Sequence, residues 1–334
     1  MTDSLYDHII DAETRAFIER TESFYSGDTA TMTIAEQRAT YDAMCRDFHQ
    51  GRPAGITVKD RPLAGRPARH YTCAQAADAD TSPRHYTCAQ AADADTSAAR
   101  IIYFHGGGFV VGSLDSHDDV CAEICARSRL DVIAIGYRLA PEHRHPAMFD
   151  DCVAATRALL DAAGGPLILC GDSAGGNLAA ATAHALRQDA AFSRRIIGQI
   201  LIYPSLGRDT ASGSFVAHAN APMLTRADMQ YYLKLRLEDP LTSNDPAVYP
   251  LDDSDFSGLP PTVVITAECD PLRDDGPAYC SAITAAGGKA HWIDAGGLVH
   301  GFLRARGSSA RATAAFAHII DTVAMLASGA WTFE

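Results

Sequence analysis

The chain has 334 residues, of which 47% are hydrophobic and 21% charged, a composition typical of a globular protein with a large buried core. Its formal net charge at pH 7 is −13, and because such a surface repels phosphate backbones, nucleic-acid binding is not expected. No apolar run approaches the roughly 18 residues of a membrane-spanning helix, so no membrane span is predicted.

The cysteines and the N-terminal sequence indicate the cellular compartment in which the protein is expected. Nine cysteines are scattered along the chain without any C-x-x-C pair. The N-terminus carries acids and helix formers, and it lacks the basic-then-apolar pattern of a signal peptide. These features favour reduced thiols in a cytoplasmic protein.

The first elements in chain order are helical and are followed by a hairpin. Residues 1–50 are amphipathic and contain no strand pattern. The stretch "ITVKDRPLAGRPARHYT" then predicts a β-hairpin with Ala64 and Gly65 at its turn. Its second strand contains "RHYT" at residues 69–72.

A duplicated segment follows within residues 69–97. "RHYTCAQAADADTS" occurs twice, separated by Pro83. One copy suffices to connect the hairpin to the next strand, and a flexible loop of twice the length costs only about 0.6 kcal/mol more to close. The second copy is therefore interpreted as a passive insertion. The alternative is a homodimer contact or a swapped strand, because identical segments compete for one position in a sheet.

Beyond residue 100, short apolar runs alternate with helical stretches. The runs "IIYF", "DVIAIGY", "PLILC", "GQILIYP", "TVVITA" and "HWID" predict strands that are covered on both faces. This alternation predicts an α/β fold with a mostly parallel, doubly wound sheet. A closing helix with Ser308 or Ser309 as its N-cap is also predicted.

One long excursion interrupts the alternation. Residues 205–250 lie between two strands and contain one predicted helix, Arg226–Leu237. Insertions of this length at one end of a sheet often become lids.

The strongest chemical signal is the G-x-S-x-G motif "GDSAG" between a predicted strand and a predicted helix. This setting makes a sharp turn that exposes the hydroxyl of Ser173 and favours a nucleophilic serine. The alternative is a serine N-cap beside packing glycines. Ser173 also lies at a helix N-terminus, where backbone N–H groups stabilise developing negative charge.

A second signal is "HGGG", which directly follows the strand "IIYF". Backbone amides of Gly106, Gly107 and Gly108 are candidates to approach a substrate oxygen closely, and with the amide of Ala174 they would form an oxyanion hole. The alternative is a flexible glycine turn.

A nucleophilic serine needs a base and an orienting acid. Where the serine lies in a strand–turn–helix G-x-S-x-G motif, the chain order is serine, acid, histidine. After "TVVITA" the candidate acids are Glu268, Asp270, Asp274 and Asp275. We choose Asp270, which lies just beyond the strand, and expect Asp274 and Asp275 to cap the next helix. His300 alone among the histidines combines the right order with a glycine-flanked loop.

No metal or cofactor is expected. The histidines of "HRH" at residues 143–145 and His117 lack the spacing of metal ligands, and His291 within a predicted strand is interpreted as structural.

Together these motifs resemble the hormone-sensitive-lipase-like branch of the α/β-hydrolases, the acetyl-esterase and carboxylesterase group. The likeness runs from about residue 100 to residue 326 and rests on "HGGGFVVGS", "YRLAPEHRHPA", "GDSAGGNLAA", "GLPPTVVITAECDPLRDDG" and "HGF". The resemblance implies a serine carboxylic-ester hydrolase that acts on short-chain acyl esters through an acyl-enzyme. It implies Ser173, Asp270 and His300 as the triad, and the "HGGG" glycines with Ala174 as the oxyanion hole.

The resemblance also implies the domain organisation. A helical cap would be built from residues 1–50 and 205–245. The α/β-hydrolase catalytic domain would comprise residues 51–204 and 246–334, and its partner would be a small-molecule ester.

Two alternative functions stay open at this point. One keeps the triad but changes the substrate to an amide, a lactone or a carbamate. The other is a non-catalytic ligand-binding protein on the same fold, against which the presence of His300 argues.

Overall fold

The computed structural model describes residues 5–25, 27, 29–73, 99–162, 165–239 and 244–333. Within these ranges the chain forms a sheet of eight strands: β1 (Ile56–Asp60), β2 (Ala68–Cys73), β3 (Arg100–Phe104), β4 (Asp131–Ile135), β5 (Leu167–Asp172), β6 (Ile196–Ile202), β7 (Thr262–Cys269) and β8 (Ala290–Val299). Their order in the sheet is β1-β2-β4-β3-β5-β6-β7-β8. β3 to β8 pair in parallel, and β1 and β2 join one edge antiparallel.

Helices cover both faces of this sheet. The described α-helices are α1 (Ala12–Glu22), α2 (Ile34–Asp47), α3 (Asp118–Ser128), α4 (Ala147–Ala162), α5 (Ala174–Leu186), α6 (Gly213–Ala217), α7 (Arg226–Arg236), α8 (Asp275–Ala285) and α9 (Ala310–Ser328). α3 and α9 share one hydrophobic cluster with the sheet, and α4, α5 and α8 share the other. The predicted doubly wound α/β fold is confirmed.

The side chains of β3 show why the apolar runs are nearly continuous. Ile101 and Tyr103 belong to the cluster of α3 and α9, whereas Ile102 and Phe104 belong to the cluster of α4 and α5. Because successive side chains of a strand point to opposite faces, a strand between two helical layers must be apolar at every position. The carboxyl ends of β3 to β8 meet at one edge of the sheet.

One described helix, α9, is long and apolar enough to cross a membrane by length and composition. In the fold it packs on the sheet, and Phe316, Ile319 and Val323 are buried in the core. This burial is the behaviour of a core helix. α9 starts after Ser309, whose side chain accepts a hydrogen bond from the amide of Ala312, so the predicted N-cap is confirmed.

The predicted hairpin is present at the sheet edge. β1 and β2 are antiparallel, and a bridge between Leu63 and Arg66 closes the turn. β2 ends at Cys73, so it contains "RHYTC" of the first copy of the duplicated segment. The rest of the duplication, and with it the whole second copy, lies outside the described residues.

Two helical segments lie outside the alternation of strands and helices, one carrying α1 and α2 and the other carrying α6 and α7. We call them the cap segments. Gln37 joins them by donating a hydrogen bond to the hydroxyl of Tyr231, at 2.7 Å. Arg38 ties the first segment to the sheet domain through the carbonyl of Val110, at 2.9 Å, and the carboxylate of Glu142.

Candidate active site

Ser173 lies in the sharp turn between β5 and α5. Its backbone has φ 54° and ψ −118°, a strained conformation for a residue with a side chain. Gly175 permits this turn, because a Cβ at that position would lie far inside van der Waals contact with the carbonyl oxygen of Phe104. The sequence thus folds locally so that the hydroxyl of Ser173 stands at the carboxyl edge of the sheet.

The structure brings Ser173, His300 and Asp270 together. Nε2 of His300 lies 2.8 Å from Oγ of Ser173, and Nδ1 lies 2.7 Å from Oδ2 of Asp270. Asp270 is completely buried, and its second oxygen accepts a hydrogen bond from the amide of Leu272 at 2.9 Å. The acid and the histidine follow β7 and β8, which are adjacent strands, so both reach the edge where Ser173 lies.

The other candidate acids hold backbone segments in place. Glu268 accepts a hydrogen bond from the amide of Gly297 at 2.6 Å, which helps to extend β8 beyond the predicted "HWID". The expectation that Asp274 and Asp275 cap the next helix is confirmed for the position of Asp274 and is wrong for the capping bond and for Asp275. Asp274 lies at the N-cap of α8 without a side-chain capping bond and accepts from the amide of Ser214 instead.

Asp275 has a similar role to Asp274. Its carboxylate accepts hydrogen bonds from the amides of Leu206 and Gly207, at 2.7 and 2.9 Å. Burial raises the pKa of Asp275 to about 6. Both carboxylates therefore fix the start of the second cap segment, a long-range role that the local sequence does not reveal.

The "HGGG" loop follows β3 and borders the same cavity as Ser173. Gly107, Gly108 and Ala174 line this cavity together with Ser173 and His300. Gly106 does not support the prediction made for it, because its amide donates to Oδ1 of Asp172 at 2.9 Å. The loop therefore offers Gly107 and Gly108, with Ala174 opposite, as the candidate donors to a substrate oxygen.

Asp172, the Asp of "GDSAG", is a further residue of the site, and the motif alone does not reveal its role. It also accepts a hydrogen bond from the hydroxyl of Tyr103 at 2.8 Å, and His117 and Arg304 lie beside it in the core. Burial opposes its charge, but His117, Tyr103 and Arg304 outweigh burial and hold the pKa of this carboxyl well below its usual range. A buried anion thus anchors the start of the "HGGG" loop close to Ser173.

His105 supports the same loop from the side. Its Nδ1 lies 2.8 Å from the carbonyl oxygen of Gly106, and its ring stacks on Tyr137 with centroids 4.3 Å apart. The Tyr137 hydroxyl donates to the carbonyl of His105 at 2.6 Å. Burial, with His117 nearby, lowers the pKa of His105 to about 3, so its imidazole is neutral near pH 7.

A cavity of about 830 Å³ opens beside Ser173. The first cap segment contributes Tyr25 and Tyr41, and the second contributes Phe215, Met223 and Tyr232. A mainly apolar wall with a few polar groups at one end is typical of a site for a small organic molecule.

One group of described side chains has the donor atoms of a metal site. Cys73, Cys125 and Asp131 place one ligand atom each within 4.8 Å of one another. They lie at the amino edge of the parallel strands, away from Ser173. Burial raises the pKa of the Cys125 thiol to about 12, which is the behaviour of a protonated, packed cysteine.

A family model described as alpha/beta hydrolase fold matches residues 101–304, more than half of the chain. The chain belongs to the hormone-sensitive-lipase-like α/β-hydrolase family. The matched range of this hydrolase contains the "HGGG" loop and all three of Ser173, Asp270 and His300. The resemblance stated from the motifs is confirmed.

Curated relatives of this hydrolase carry esterase names. The carboxylesterase NlhH of Mycobacterium tuberculosis is 37% identical over 213 residues, which cover 61% of this chain and 66% of that protein. The carboxylic ester hydrolase LipN of the same organism is 34% identical over 284 residues, covering 81% and 70%. The ethyl acetate hydrolase of Pseudomonas putida is 33% identical over 233 residues, covering 68% and 73%.

A solved structure extends the similarity to the cap segments. The crystal structure of the LAE6 Ser161Ala mutant, an α/β-hydrolase enzyme from the metagenome of Lake Arreo, has a TM-score of 0.80 and 30% identity. It covers 96% of this hydrolase and 99% of its own chain. The whole described fold, and not only the matched range, therefore has the architecture of this family.

Proposed function

We propose that this chain is a serine carboxylesterase that hydrolyses short-chain acyl esters through an acyl-enzyme intermediate. The observation that carries the proposal is the hydrogen-bonded series from Ser173 through His300 to Asp270, which opens on a cavity bordered by Gly107 and Gly108. The family and the relatives named carboxylesterase and ethyl acetate hydrolase support the ester as the substrate class.

Acylation follows from this arrangement. Nε2 of His300 takes the proton of Ser173 as Oγ attacks the ester carbonyl carbon, and Asp270 holds the imidazole in the required tautomer through Nδ1. The carbonyl oxygen becomes an oxyanion, to which the amides of Gly107, Gly108 and Ala174 donate. When the tetrahedral intermediate collapses, His300 gives its proton to the leaving alcohol.

Deacylation repeats these steps with water as the nucleophile. His300 takes a proton from the water, which attacks the acyl carbon, and the second tetrahedral intermediate releases the acid and restores the Ser173 hydroxyl. The fixed amides serve both intermediates, because each develops its negative charge on the same oxygen.

Further parts of the proposal concern organisation and location. The two cap segments form the helical cap over the cavity, which is supported by the side chains that both contribute to its wall. A cytoplasmic location is supported by the eight described cysteines, all of which are free thiols. A homodimer that uses the duplicated segment stays a prediction.

The experiment replaces Ser173 with alanine and measures hydrolysis of p-nitrophenyl acetate, with circular dichroism as the test of folding. We expect turnover to fall by at least about 10³-fold, because the nucleophile is lost while the fold is kept. Ser308→Ala is the matched control, since Ser308 is exposed and does not line the cavity, and it should keep wild-type turnover. Undiminished hydrolysis by folded Ser173→Ala would refute the assignment.

The same assay with a panel of esters, amides and lactones defines the substrate class. We expect the short-chain esters to be turned over fastest. Faster turnover of an amide or a lactone would favour the alternative hydrolase, with the same triad.

A further inference from the structure

Helix α7 of the second cap segment lies directly on the "HGGG" loop (residues 105–108), which we call the oxyanion loop. A Cβ on Gly108 would come within 2.7 Å of the Tyr232 ring, so this ring touches the loop at the residue that offers an amide to the substrate. One turn further along α7, the guanidinium of Arg236 lies 3.8 Å from the centroid of the Phe109 ring. Residues four apart share one helix face, so Tyr232 and Arg236 form a continuous contact with the loop.

The loop beneath α7 has an unusual backbone. Gly107, Gly108 and Phe109 have φ values of 121°, 57° and 66°, and Phe109 has a side chain that disfavours such a conformation. Backbone held this way persists only where its surroundings determine it. The stacked guanidinium on Phe109 is one such restraint.

Arg236 is itself held by several fixed acceptors. It is 2% exposed, and it donates to Oδ1 of Asn177 at 3.0 Å and to the carbonyl of Ala247 at 3.1 Å. These acceptors are an amide and a carbonyl, and neither carries a charge. Burial lowers the pKa of Arg236 to about 10, so the side chain stays cationic near pH 7.

Asn177 connects this cluster to the nucleophile. It lies in the first turn of α5, and its backbone amide donates to the carbonyl of Ser173 at 3.0 Å. Its side-chain nitrogen donates to the carbonyls of Ser205 and Val248, at 2.7 and 2.9 Å. The guanidinium of Arg236 therefore contacts Asn177 of α5, the helix that follows Ser173, with one edge. Its face contacts Phe109, the residue directly after the oxyanion loop.

We propose that Arg236 is a positioning residue, which holds the oxyanion loop and the nucleophile helix in register so that the amides of Gly108 and Ala174 converge on one oxygen. The inference rests on the proposed esterase function and deepens it. It assigns the cap a part in transition-state stabilisation in addition to covering the cavity.

The chemistry of arginine suits this role. Its planar guanidinium stacks on an aromatic ring while its edge donates hydrogen bonds in a fixed fork. Lysine carries the same charge but has neither the plane nor the fork. A lysine at this position would therefore keep the local positive charge and lose the geometry.

The experiment compares Arg236→Met and Arg236→Lys with Lys234→Met, the matched control, because Lys234 is an exposed cation on the same helix. Active sites are counted by titration with a fluorophosphonate, and kcat and KM for p-nitrophenyl acetate are measured per titrated site. A misplacement of about 1 Å costs roughly 10²-fold in rate. We therefore expect kcat to fall by about 10- to 100-fold in both Arg236 variants, with KM changed less than about threefold, and no change in Lys234→Met.

Two results would overturn the proposal: a kcat within twofold of wild type in folded Arg236→Met, or full recovery of kcat in Arg236→Lys, which would leave charge alone as the requirement. If Arg236→Met does not fold, Phe109→Leu decides, because it removes the aromatic face on which the guanidinium lies. Since Phe109 also lines the cavity, KM is measured beside kcat and should change less than about threefold. A kcat for Phe109→Leu at least about fivefold below wild type supports the role of Arg236, and an unchanged kcat overturns it. Failure of the wild-type protein to react with the fluorophosphonate would instead refute the esterase function.

Discussion

Replacing Gly108 with alanine tests whether the backbone of the oxyanion loop is as tightly enclosed as the structure indicates. The new Cβ would lie 2.7, 2.8 and 2.9 Å from three ring atoms of Tyr232. Ordinary contact begins at 3.4 Å, so the nearest atom is 0.7 Å too close. Either the ring or the loop must move by about this distance.

The size of the effect follows from that displacement and from the backbone. Gly108 has φ 57°, where a residue with a Cβ costs roughly 1–2 kcal/mol. Overpacking adds about 1–3 kcal/mol. Because a shift of about 1 Å costs roughly 10²-fold in rate, a shift of most of that distance in the Gly108 amide should lower kcat by about 10- to 100-fold.

The assay measures kcat per titrated active site and the free energy of unfolding in urea. Gly258→Ala is the matched control, since Gly258 has φ 72° but its Cβ would come no closer than 3.5 Å to the nearest atom. We expect it to lose about 1 kcal/mol of stability and to keep its kcat. A second comparison makes Gly108→Ala in a Tyr232→Ala background, where the loss of kcat should be smaller, because the obstructing ring is gone.

A wild-type kcat in folded Gly108→Ala would refute this reasoning. Equal losses of kcat with and without the Tyr232 ring would also contradict it, because the contact with α7 would then have no part in the effect.

Two further predictions concern the buried anion and the duplication. Asp172→Asn should lower the free energy of unfolding by about 3 kcal/mol at pH 7, because the buried Arg304 keeps Asp119 but loses the charge of its second nearby anion, and His117 loses a charged acceptor. Since the folded-state pKa of Asp172 is depressed, its stabilising effect is present above about pH 4 and is lost in stronger acid, so the deficit should shrink there in urea titrations. The exposed Asp115→Asn should cost less than about 1 kcal/mol, and an equal loss in both variants would contradict the role of Asp172. Deleting residues 84–98 should leave turnover and the sedimentation coefficient unchanged, because β2 uses the first copy; altered oligomer size would favour the dimer contact instead.

The local sequence was sufficient for most of the elements and for the three residues that meet at the sheet edge. It predicted one helix in residues 205–250, where the structure has α6 and α7, and it ended the last strand at Asp294, whereas β8 runs to Val299. Strands between two helical layers are apolar throughout, and this pattern is visible in "LILC" before Ser173. Asp270 and His300 follow strands whose carboxyl ends must share an edge in a parallel sheet. Their convergence with Ser173 therefore follows from chain order and topology.

The contacts that fix the backbone of the site were not predictable in this way. The sequence does not distinguish Gly106 from Gly107 and Gly108, yet the amide of Gly106 donates to Asp172, which is far along the chain. Asp274 and Asp275 were expected to cap a helix and instead accept amides of the second cap segment. Such roles depend on which segments meet in space, and no local period or motif encodes that.

Arg236 belongs to the same class of residue. In the sequence it is the last of several cations on an amphipathic helix, and its spacing does not distinguish it from Lys234. Only the fold shows that one of them is exposed and the other is buried over Phe109.

Peptide mapping after reaction with a fluorophosphonate tests the central claim most directly. We expect one adduct, on Oγ of Ser173, which is absent after Ser173→Ala and forms much more slowly when His300 is replaced by alanine. An adduct on another residue with Ser173 unmodified, or labelling of Ser173 at an unchanged rate without His300, would contradict it.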